Sequence, residues 1–335
     1  MARRPGPSLH DVARRAGVST ATVSFVLNDS KPVAAETRQR VEEAISALNY
    51  RRSLSARALR TGRHHAVGLL LPDLINPFFP ALAQAVTQAA WQRGHALILA
   101  SAGIDHEAES EALAALAERA DGIIWIPGST RIATRPNLPM VVLDRPDASL
   151  AAYDSISADH RAGGAAAAAL LRRLGRRRVG LLAGPAQSPS ATSRQEGFLE
   201  SWAPQTPLWI REAPFTLDLP RQAVKALADP ALDAVFAASD VMAIGALRTL
   251  HELGRRIPED VMLIGYDDIP WAALVEPQLT TIRQPVAALG ECAVATLEAR
   301  IAAPDSPAVH HILPISLIER ASTIMSGGTA RARHR

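Results

Sequence analysis

The side chains best suited to bind another molecule are arginines that occur close together near residue 60. The segment YRRSLSARALRTGR, residues 50–63, contains five arginines, two leucines and no acidic residue. Guanidinium groups pair with phosphate oxygens, and an apolar side chain can insert between base pairs in the minor groove of DNA. The segment is compatible with a short DNA-bound helix over residues 53–60, and also with a flexible basic linker.

This segment belongs to a basic N-terminal part of the chain. Residues 1–63 hold 12 Lys and Arg against 5 Asp and Glu, whereas residues 64–328 hold 21 against 28. The end of the chain adds Arg331, Arg333 and Arg335. A basic part attached to an acidic body suggests that the basic part binds a polyanion, although a solvated arginine-rich surface would have the same composition.

The residues before this segment predict three short helices. Ser8 begins a capping box at the start of the first helix, and Gly17 ends that helix. Ser19 has the residue type of an N-cap for a second helix over residues 20–27, and a third helix is predicted over residues 35–48. Two short helices joined by a glycine turn and closed by a third are typical of a helix-turn-helix, whose second helix enters the major groove.

The second predicted helix has one apolar side, which is formed by Val23, Val26 and Leu27. Its outward residues are Thr20, Ala21, Ser24 and Phe25. In a helix-turn-helix the N-terminal residues of this helix lie at the edges of the bases. The alternative is a small helical subdomain without a ligand, which the basic charge and the order of the helices disfavour.

Beyond residue 64 the sequence alternates short apolar runs with helical segments. The runs predicted to form buried parallel strands are 66–71, 96–100, 122–126, 140–143, 179–182, 234–237 and 261–264. The predicted helices are 79–93, 107–119, 162–174, 192–202, 221–227 and 243–253. Two successive series of this kind predict an α/β body of two doubly wound lobes. The cleft between the lobes is the expected pocket, because ligands of such sheets bind outside the carboxyl ends of the strands.

The sequence resembles the lac repressor family of bacterial regulators in the stretches DVARRAGVSTATVSFVLND, ETRQRVEEAISALNY and SARALRTGR. The body resembles the same family in GLLLPDLINPFF, VVLDRPD, ISADHRAGG, SRQEGF and LIGYDDIP, so that the resemblance runs from Ser8 to about Thr323. It implies a helix-turn-helix head attached to a body with the type I periplasmic-binding-protein fold.

The resemblance also implies which residues contact DNA. Thr20, Ala21 and Phe25 would occupy the base-reading positions, although Phe25 stands where many members have Arg. Leu59 would be the minor-groove wedge of a hinge helix. The full predicted set is Ser19, Thr20, Ala21, Thr22, Ser24, Phe25, Asn28, Ser53, Arg57 and Leu59.

Candidates for the cleft are polar and aromatic residues that follow the predicted strands. They are Asp73, Asn76, Phe78, Phe79, Asp144, Arg145, Ser239 and Asp267, to which the resemblance adds Arg194, at the position of an effector-binding Arg. Carboxylates, an amide and arginines suit a sugar or related polyol, because a hydroxyl can donate to a carboxylate and accept from a guanidinium. Two alternatives remain open: Asp240 could cap the helix that follows it, and Phe79 could simply belong to the core.

The predicted organisation has four parts. They are a helix-turn-helix domain (1–50), a hinge (51–63), a two-lobed effector-binding and dimerisation domain (64–325) and a disordered basic tail (326–335). We expect a homodimeric transcriptional regulator that binds double-stranded pseudo-palindromic operator DNA. A repressor is the main interpretation and an activator of the same fold is the alternative, because the sign of regulation depends on the position of the operator. A solute-binding protein would share the body, but it would lack residues 1–60 and would carry an export signal. Such a signal contains an apolar region, and the N-terminus of this sequence shows none.

Enzyme, metal and membrane functions find no support in the sequence. It contains no GxSxG, GxxxxGK[ST] or HExxH motif, and no GxGxxG after a strand, so we expect no catalysis, cofactor or metal. The single cysteine, Cys292, excludes an intramolecular disulfide and fits a reducing cytoplasm. The longest apolar run, residues 162–171, is too short to span a bilayer.

Overall fold

The structure of the protein, a computed structural model, describes residues 7–50, 63–103, 105–128, 136–144 and 148–325. The chain divides into two compact units between His64 and His65. The following predicted parts lie outside the described residues: Ser53, Arg57, Leu59, Arg145, the tail 326–335 and the side chain of Asn28.

Three helices form the N-terminal unit. They are α1 (Leu9–Ala16), α2 (Thr20–Asn28) and α3 (Ala35–Ala47). The predicted capping box is present, because Ser8 Oγ accepts a hydrogen bond from the main-chain N–H of Asp11 (3.3 Å) and the Asp11 carboxylate accepts one from Ser8 N (2.9 Å). Gly17 ends α1 with a φ of +65°, in the left-handed region that favours glycine.

The core of this unit joins all three helices through buried valines. Val12 on α1, Val23 on α2 and Val41 on α3 are each 0% exposed. Arg40 on α3 also donates from Nη2 to the main-chain oxygen of Ala16, at 2.7 Å. The residues that face inward at helical spacing therefore hold the three helices together, as expected for a helix-turn-helix.

The second unit consists of two lobes, each built on a six-stranded sheet. The strands of lobe 1 are β1 (Ala66–Leu71), β2 (Ala96–Ser101), β3 (Gly122–Trp125), β4 (Met140–Leu143), β5 (Asp154–Ala158) and β11 (His310–Leu313). Its helices are α4 (Phe78–Gln92), α5 (His106–Ala117), a 3-10 turn (Ala148–Leu150) and α10 (Val286–Ala302). The sheet order is β11-β5-β4-β3-β1-β2, and all the pairings are parallel.

Lobe 2 repeats this arrangement. Its strands are β6 (Val179–Ala183), β7 (Trp209–Glu212), β8 (Ala234–Ala237), β9 (Met262–Asp267), β10 (Thr280–Arg283) and β12 (Ser316–Ile318). Its helices are α6 (His160–Arg173), α7 (Pro189–Trp202), α8 (Arg221–Leu227), α9 (Asp240–Glu252) and a 3-10 turn (Pro270–Ala273). The sheet order is β12-β10-β9-β8-β6-β7, in which only the edge strand β12 pairs antiparallel among the described strands.

The chain passes between the lobes three times, after β5, β10 and β11. Helix α10 therefore follows a strand of lobe 2 but packs in the core of lobe 1, where Leu289, Val294 and Leu297 join one apolar cluster with side chains of β1, β3 and β4. Both sheets thus direct the carboxyl ends of their parallel strands into loops, the region where doubly wound sheets bind ligands.

The sequence prediction of a buried strand over residues 96–100 is wrong about burial. Strand β2 lies at the edge of its sheet, and Ala96, Leu99 and Ser101 are exposed. A short apolar run does not distinguish a central strand from an edge strand. Strand β5 was not predicted, because its sequence DSISA is polar. Asp154 in this strand is nevertheless buried, and its carboxylate accepts hydrogen bonds from Arg300 Nη2 at 2.7 Å and from Arg300 Nε at 2.8 Å.

Helices α6 and α7 cross at short range because a glycine on each helix faces the main chain of the other helix. A Cβ atom added at Gly164 would overlap the main-chain oxygen of Arg194, and one added at Gly197 would overlap the main-chain oxygen of Arg161. The crossing places the start of α6 beside the middle of α7, and so brings His160 next to Arg194.

We expect Gly197→Ala to lower the free energy of unfolding by about 1–3 kcal/mol, because the added methyl group forces the two helices apart. A decrease in the free energy of unfolding would distinguish this contact from an ordinary helix interior, where alanine is more stabilising than glycine by about 1 kcal/mol. Denaturant unfolding followed by circular dichroism measures the change. The control is Ala169→Ser on the exposed side of α6, for which we expect a change within about 0.5 kcal/mol. A variant at Gly197 as stable as wild type would contradict the close crossing.

Candidate functional site

A cavity lies between the two lobes, at the carboxyl ends of their strands. It is narrow and partly open to solvent, and it is lined by Asn76, Phe78, Phe79, Asp144, Ser190, Arg194, Phe215 and Asp267. The first four residues belong to lobe 1 and the last four to lobe 2. The structure thus brings together six of the residues that the sequence suggests for the cleft.

The lobe 1 wall combines an amide with two aromatic rings. Asn76 is buried, and its Oδ1 accepts a hydrogen bond from the main-chain N–H of Phe78 at 3.1 Å. The rings of Phe78 and Phe79 meet edge to face, with 5.4 Å between their centroids, and both also belong to the core of lobe 1. Asp73 is not among the lining residues; its carboxylate accepts hydrogen bonds from the main-chain N–H groups of Ile75 and Asn76 (2.8 Å each) and so shapes the turn before α4.

Arg194, on α7, is held by contacts to several elements of lobe 2. It is 3% exposed, and its Nη1 donates to the main-chain oxygen of Ala238 at 2.6 Å and lies 3.4 Å from Asp267 Oδ1. Its Nε donates to His160 Nδ1 at 3.3 Å, and the guanidinium carbon lies 3.8 Å from the centroid of the Tyr266 ring. A buried guanidinium is costly unless its donors are satisfied, so these contacts fix its position.

His160 connects the arginine of lobe 2 to a carboxylate of lobe 1. Arginine Nε can only donate, so His160 Nδ1 must accept, which makes the ring neutral with its proton on Nε2. That proton faces lobe 1, where Nε2 lies 3.3 Å from the main-chain oxygen of Asp144 and 3.1 Å from its Oδ1. Burial, and then the positive charge of Arg194, lower the pKa of His160, which agrees with the neutral form.

Asp267 and Asp144 present carboxylates from the ends of β9 and β4. Their φ angles are +111° and +64°, a region that non-glycine residues rarely adopt, so that packing around the strand ends must hold this conformation. Gln284 Nε2 donates to Asp267 Oδ1 at 2.8 Å. Burial raises the pKa of Asp267 to about 7, because it outweighs the attraction of Arg194 and the hydrogen bond from Gln284.

Two residues near the cavity have other structural roles. Ser239 caps α9, with its Oγ accepting from the main-chain N–H of Met242 at 3.3 Å, and it is not among the lining residues. The idea that Asp240 caps this helix is therefore wrong. Its carboxylate instead accepts from the main-chain N–H of Ile269 (2.9 Å) and from Thr281 Oγ1 (2.5 Å). Burial, and then the charge of Asp267, raise the pKa of Asp240 well above its usual range.

Sequence reasoning missed three residues at this site. Ser190 lies four residues before Arg194 on α7, so helical spacing could have identified it. His160 directly follows the capping residue of α6, at the end of a strand that was not predicted. Phe215 follows β7, another strand that was not predicted, and carries no local signal.

A second candidate surface is the outward side of α2 in the N-terminal unit. Ser19 caps this helix, with its Oγ accepting from the main-chain N–H of Thr22 at 3.1 Å. Thr20 and Ala21 are exposed, and Phe25 is partly exposed with Lys31 Nζ 4.9 Å from its ring centroid. The predicted base-reading residues thus lie on the surface of the unit and outside its apolar core.

No membrane-spanning helix exists in the described part of the chain. Within the same residues, no three His, Cys, Asp or Glu side chains are grouped so that they could hold a metal ion.

The chain is similar along its length to known regulators. It is 36% identical over 339 residues to the HTH-type transcriptional regulator MalR of Streptomyces coelicolor, covering 96% of this chain and 97% of the relative. Among solved structures, it matches the lac repressor dimer bound to operator and the anti-inducer ONPF, with a TM-score of 0.85, 29% identity and coverage of 96% of this chain and 100% of the other. It also matches the complex of the transcriptional regulator CelR with cellobiose, with a TM-score of 0.71, 31% identity and coverage of 94% and 99%.

Two family descriptions match separate parts of the sequence. Residues 168–323 match the periplasmic binding protein-like domain, and this range contains most of lobe 2 together with helix α10 and strand β11 of lobe 1. Residues 8–53 match the bacterial regulatory proteins of the lacI family, and they contain the whole three-helix core described above. The local helix caps, the two parallel-sheet lobes and the full-length similarity to MalR agree, and the chain belongs to the lacI family of bacterial regulatory proteins.

Proposed function

We propose that this protein is a DNA-binding transcriptional repressor whose affinity for its operator is set by a small polar molecule bound between the lobes of the body. The observation that carries the proposal is the cavity that joins Asp144 of lobe 1 to Arg194 and Asp267 of lobe 2, in a chain that also has a helix-turn-helix. The protein is not an enzyme, and it acts in the cytoplasm.

The lining residues favour a sugar or related polyol as the effector. Asp144 and Asp267 offer acceptors for hydroxyl groups, Asn76 offers an amide, and Arg194 offers donors. The rings of Phe78 and Phe79 offer apolar surface for the C–H face of a sugar ring. The cellobiose complex of the similar regulator CelR supports this class of ligand.

The cavity also supplies a route from ligand binding to a change in the body. A ligand that bonds to Asn76 and Asp144 on one side and to Asp267 on the other favours one separation of the lobes over others. The three connections between the lobes then transmit this preference along the chain. A coupling free energy of about 1–3 kcal/mol changes operator affinity by roughly 5- to 150-fold.

The proposed function gives each part of the chain a role. Residues 1–50 read DNA, residues 51–63 form the hinge, residues 64–325 bind the effector and dimerise, and residues 326–335 form a basic tail. A homodimer places one head on each half of a pseudo-palindromic operator. The dimer of the similar lac repressor bound to operator supports this arrangement. The predicted DNA contacts are Ser19, Thr20, Ala21, Thr22, Ser24, Phe25, Asn28, Ser53, Arg57 and Leu59.

The decisive test is whether the protein binds a preferred DNA sequence and responds to a sugar. Selection from randomised duplexes supplies the operator, and a thermal-shift screen of monosaccharides and disaccharides, including maltose and cellobiose, supplies the effector. Arg194→Lys keeps a cation but loses the Nε donor and the planar fork. We expect this variant to bind the operator within about two-fold of wild type and to need at least ten-fold more sugar for the same response.

The matched control for this experiment is Arg172→Lys, at an exposed position of α6 whose side chain donates to the main-chain oxygen of Ser201. We expect it to respond to the sugar as wild type does in the same anisotropy titration. A normal response from Arg194→Lys would refute the assignment of this cavity as the effector site.

Asp267 should give the unliganded protein a specific pH dependence. Its folded pKa of about 7 lies above its usual value of 3.8, so protonation stabilises the fold fully below pH 3.8, and this contribution is lost as the pH rises through 7. We expect the stability of wild type relative to Asp267→Asn to fall by roughly 1.4 kcal/mol per pH unit between pH 5 and 7, and to level off above pH 8. Urea unfolding of both proteins across this range measures the difference between their free energies of unfolding. His160 and Asp240 are present in both proteins, so the comparison isolates the contribution of Asp267. A constant difference would show that Asp267 stays ionised.

Leu59→Ala tests the minor-groove wedge. A wedge side chain works only where the DNA is bent at the operator, so we expect specific affinity to fall by at least ten-fold while affinity for random duplex stays within about two-fold. Fluorescence anisotropy on both DNAs gives the two constants, with Leu54→Ala in the same segment as the control. Equal losses on both DNAs would reject the wedge.

A further inference from the structure

The outward side of α2 differs from most base-reading surfaces in the length of its side chains. Direct recognition of guanine commonly uses Arg or Lys, and recognition of adenine uses Asn or Gln. The outward residues of this helix are instead Thr20, Ala21, Ser24 and Phe25. Asn28 is the last residue of the helix, about 12 Å along the axis from Thr20. The N-terminal end of the helix, which lies at the bases in this type of domain, therefore offers methyl groups, hydroxyls and one aromatic ring.

Phe25 is placed to contact DNA rather than to fill the core. It lies one helical turn after Ala21 and therefore on the same side of α2. The apolar core of the unit contains Val23, Val26 and Leu27 from this helix, but not Phe25. An aromatic ring that is partly exposed on the reading side of the helix can bury further apolar surface when DNA binds, and the major groove presents one such group, the 5-methyl group of thymine.

Lys31 lies against the ring of Phe25. Its ammonium lies 4.9 Å from the ring centroid of Phe25, within the range of a cation–π contact. The nearby carboxylate of Asp29 pairs with Arg38 at 2.6 Å, which leaves the ring as the described partner of Lys31. The ring is therefore contacted by Lys31 and is partly exposed to solvent.

We propose that this head recognises thymine through its 5-methyl group, with Phe25 as the residue that determines specificity and Lys31 as the residue that positions its ring. Thr20 and Ala21 add further methyl groups on the same surface. The proposal rests on the proposed DNA-binding function, and it goes further by naming the chemical group that the helix reads.

The test compares thymine with uracil in the selected operator. Uracil pairs with adenine as thymine does but lacks the 5-methyl group, so only the methyl contact is removed. With the full-length protein, each thymine of the operator is replaced by deoxyuridine in one half-site and then in both. We expect one thymine position per half-site at which the replacement lowers affinity about four-fold, the value for one buried methyl group, and about 15-fold in both half-sites. The other thymine positions should change affinity by less than about two-fold.

Variants at Phe25 assign the effect to its ring. In Phe25→Ala the sensitive thymine should become indifferent to uracil, because the partner of the methyl group is gone. Phe25→Arg should enrich guanine at the same position when the selection is repeated, because a guanidinium can bond to the guanine O6 and N7 atoms. Retained sensitivity to uracil in Phe25→Ala would overturn the assignment.

The role of Lys31 is tested by the ratio of affinities for the thymine and uracil operators, because loss of a simple phosphate contact would leave this ratio unchanged. Lys31→Arg keeps a cation over the ring, and we expect it to retain the ratio between thymine and uracil. Lys31→Met should reduce this ratio towards one. If Lys31 only contacted a phosphate, Lys31→Met would weaken binding to both operators equally and lower the salt slope by about one, with an unchanged ratio.

The outcomes separate this inference from the proposed function. Selection that enriches no sequence would reject DNA recognition altogether. An enriched operator in which every thymine tolerates uracil would leave the repressor function intact and reject the reading of the methyl group.

Discussion

A buried guanidinium cannot be left without acceptors, and Arg194 meets this requirement with groups from several elements of lobe 2. The main-chain oxygen of Ala238, the carboxylate of Asp267 and the ring nitrogen of His160 each lie within reach of one of its nitrogens. This arrangement is possible because the glycines of α6 and α7 let the two helices cross at short range. The position of the arginine therefore depends on backbone packing that is remote from the cavity itself, and the positions of its partners depend on the arginine.

In the proposed mechanism, the same contacts link a bound ligand to the contact between the lobes. His160 is neutral because its Nδ1 accepts from Arg194, so its single ring proton lies on Nε2, which donates to the main-chain oxygen of Asp144 in lobe 1. Asp267 shares the arginine with His160 while its pKa is raised by burial. A polyol that accepts a hydrogen bond from Arg194 or donates one to Asp267 competes with the existing partners of these two residues. It thereby also affects His160, which accepts from Arg194. Binding at one point therefore alters the contact between the lobes, which gives the proposed coupling a physical path.

The sequence predicted those features that local residues determine. The caps at Ser8, Gly17 and Ser19 depend on neighbours within a few residues, and each has the role that the sequence predicted. Strands were predicted where apolar runs are continuous, whereas polar β5 was missed because its burial depends on the distant partner Arg300. The cavity followed from residues at strand ends, but position alone does not fix a role. Ser239 has such a position and is used as a helix cap, and the contact of Arg194 with Ala238 joins residues 44 positions apart.

The two proposed recognition surfaces differ in burial and in the charge that surrounds them. The cavity is buried, so a few polar groups with fixed partners suffice both to bind a ligand and to select it. The outward side of α2 carries Thr20, Ala21, Ser24 and Phe25 and no charge of its own, so in the proposed complex it discriminates between bases but contributes little affinity. In the proposed complex, affinity for DNA comes mainly from contacts to phosphates, and we assign these contacts to the five arginines of residues 50–63, which follow the helices in sequence. The proposal thus assigns selection of sequence to α2 and strength of binding to the arginines that follow the three helices.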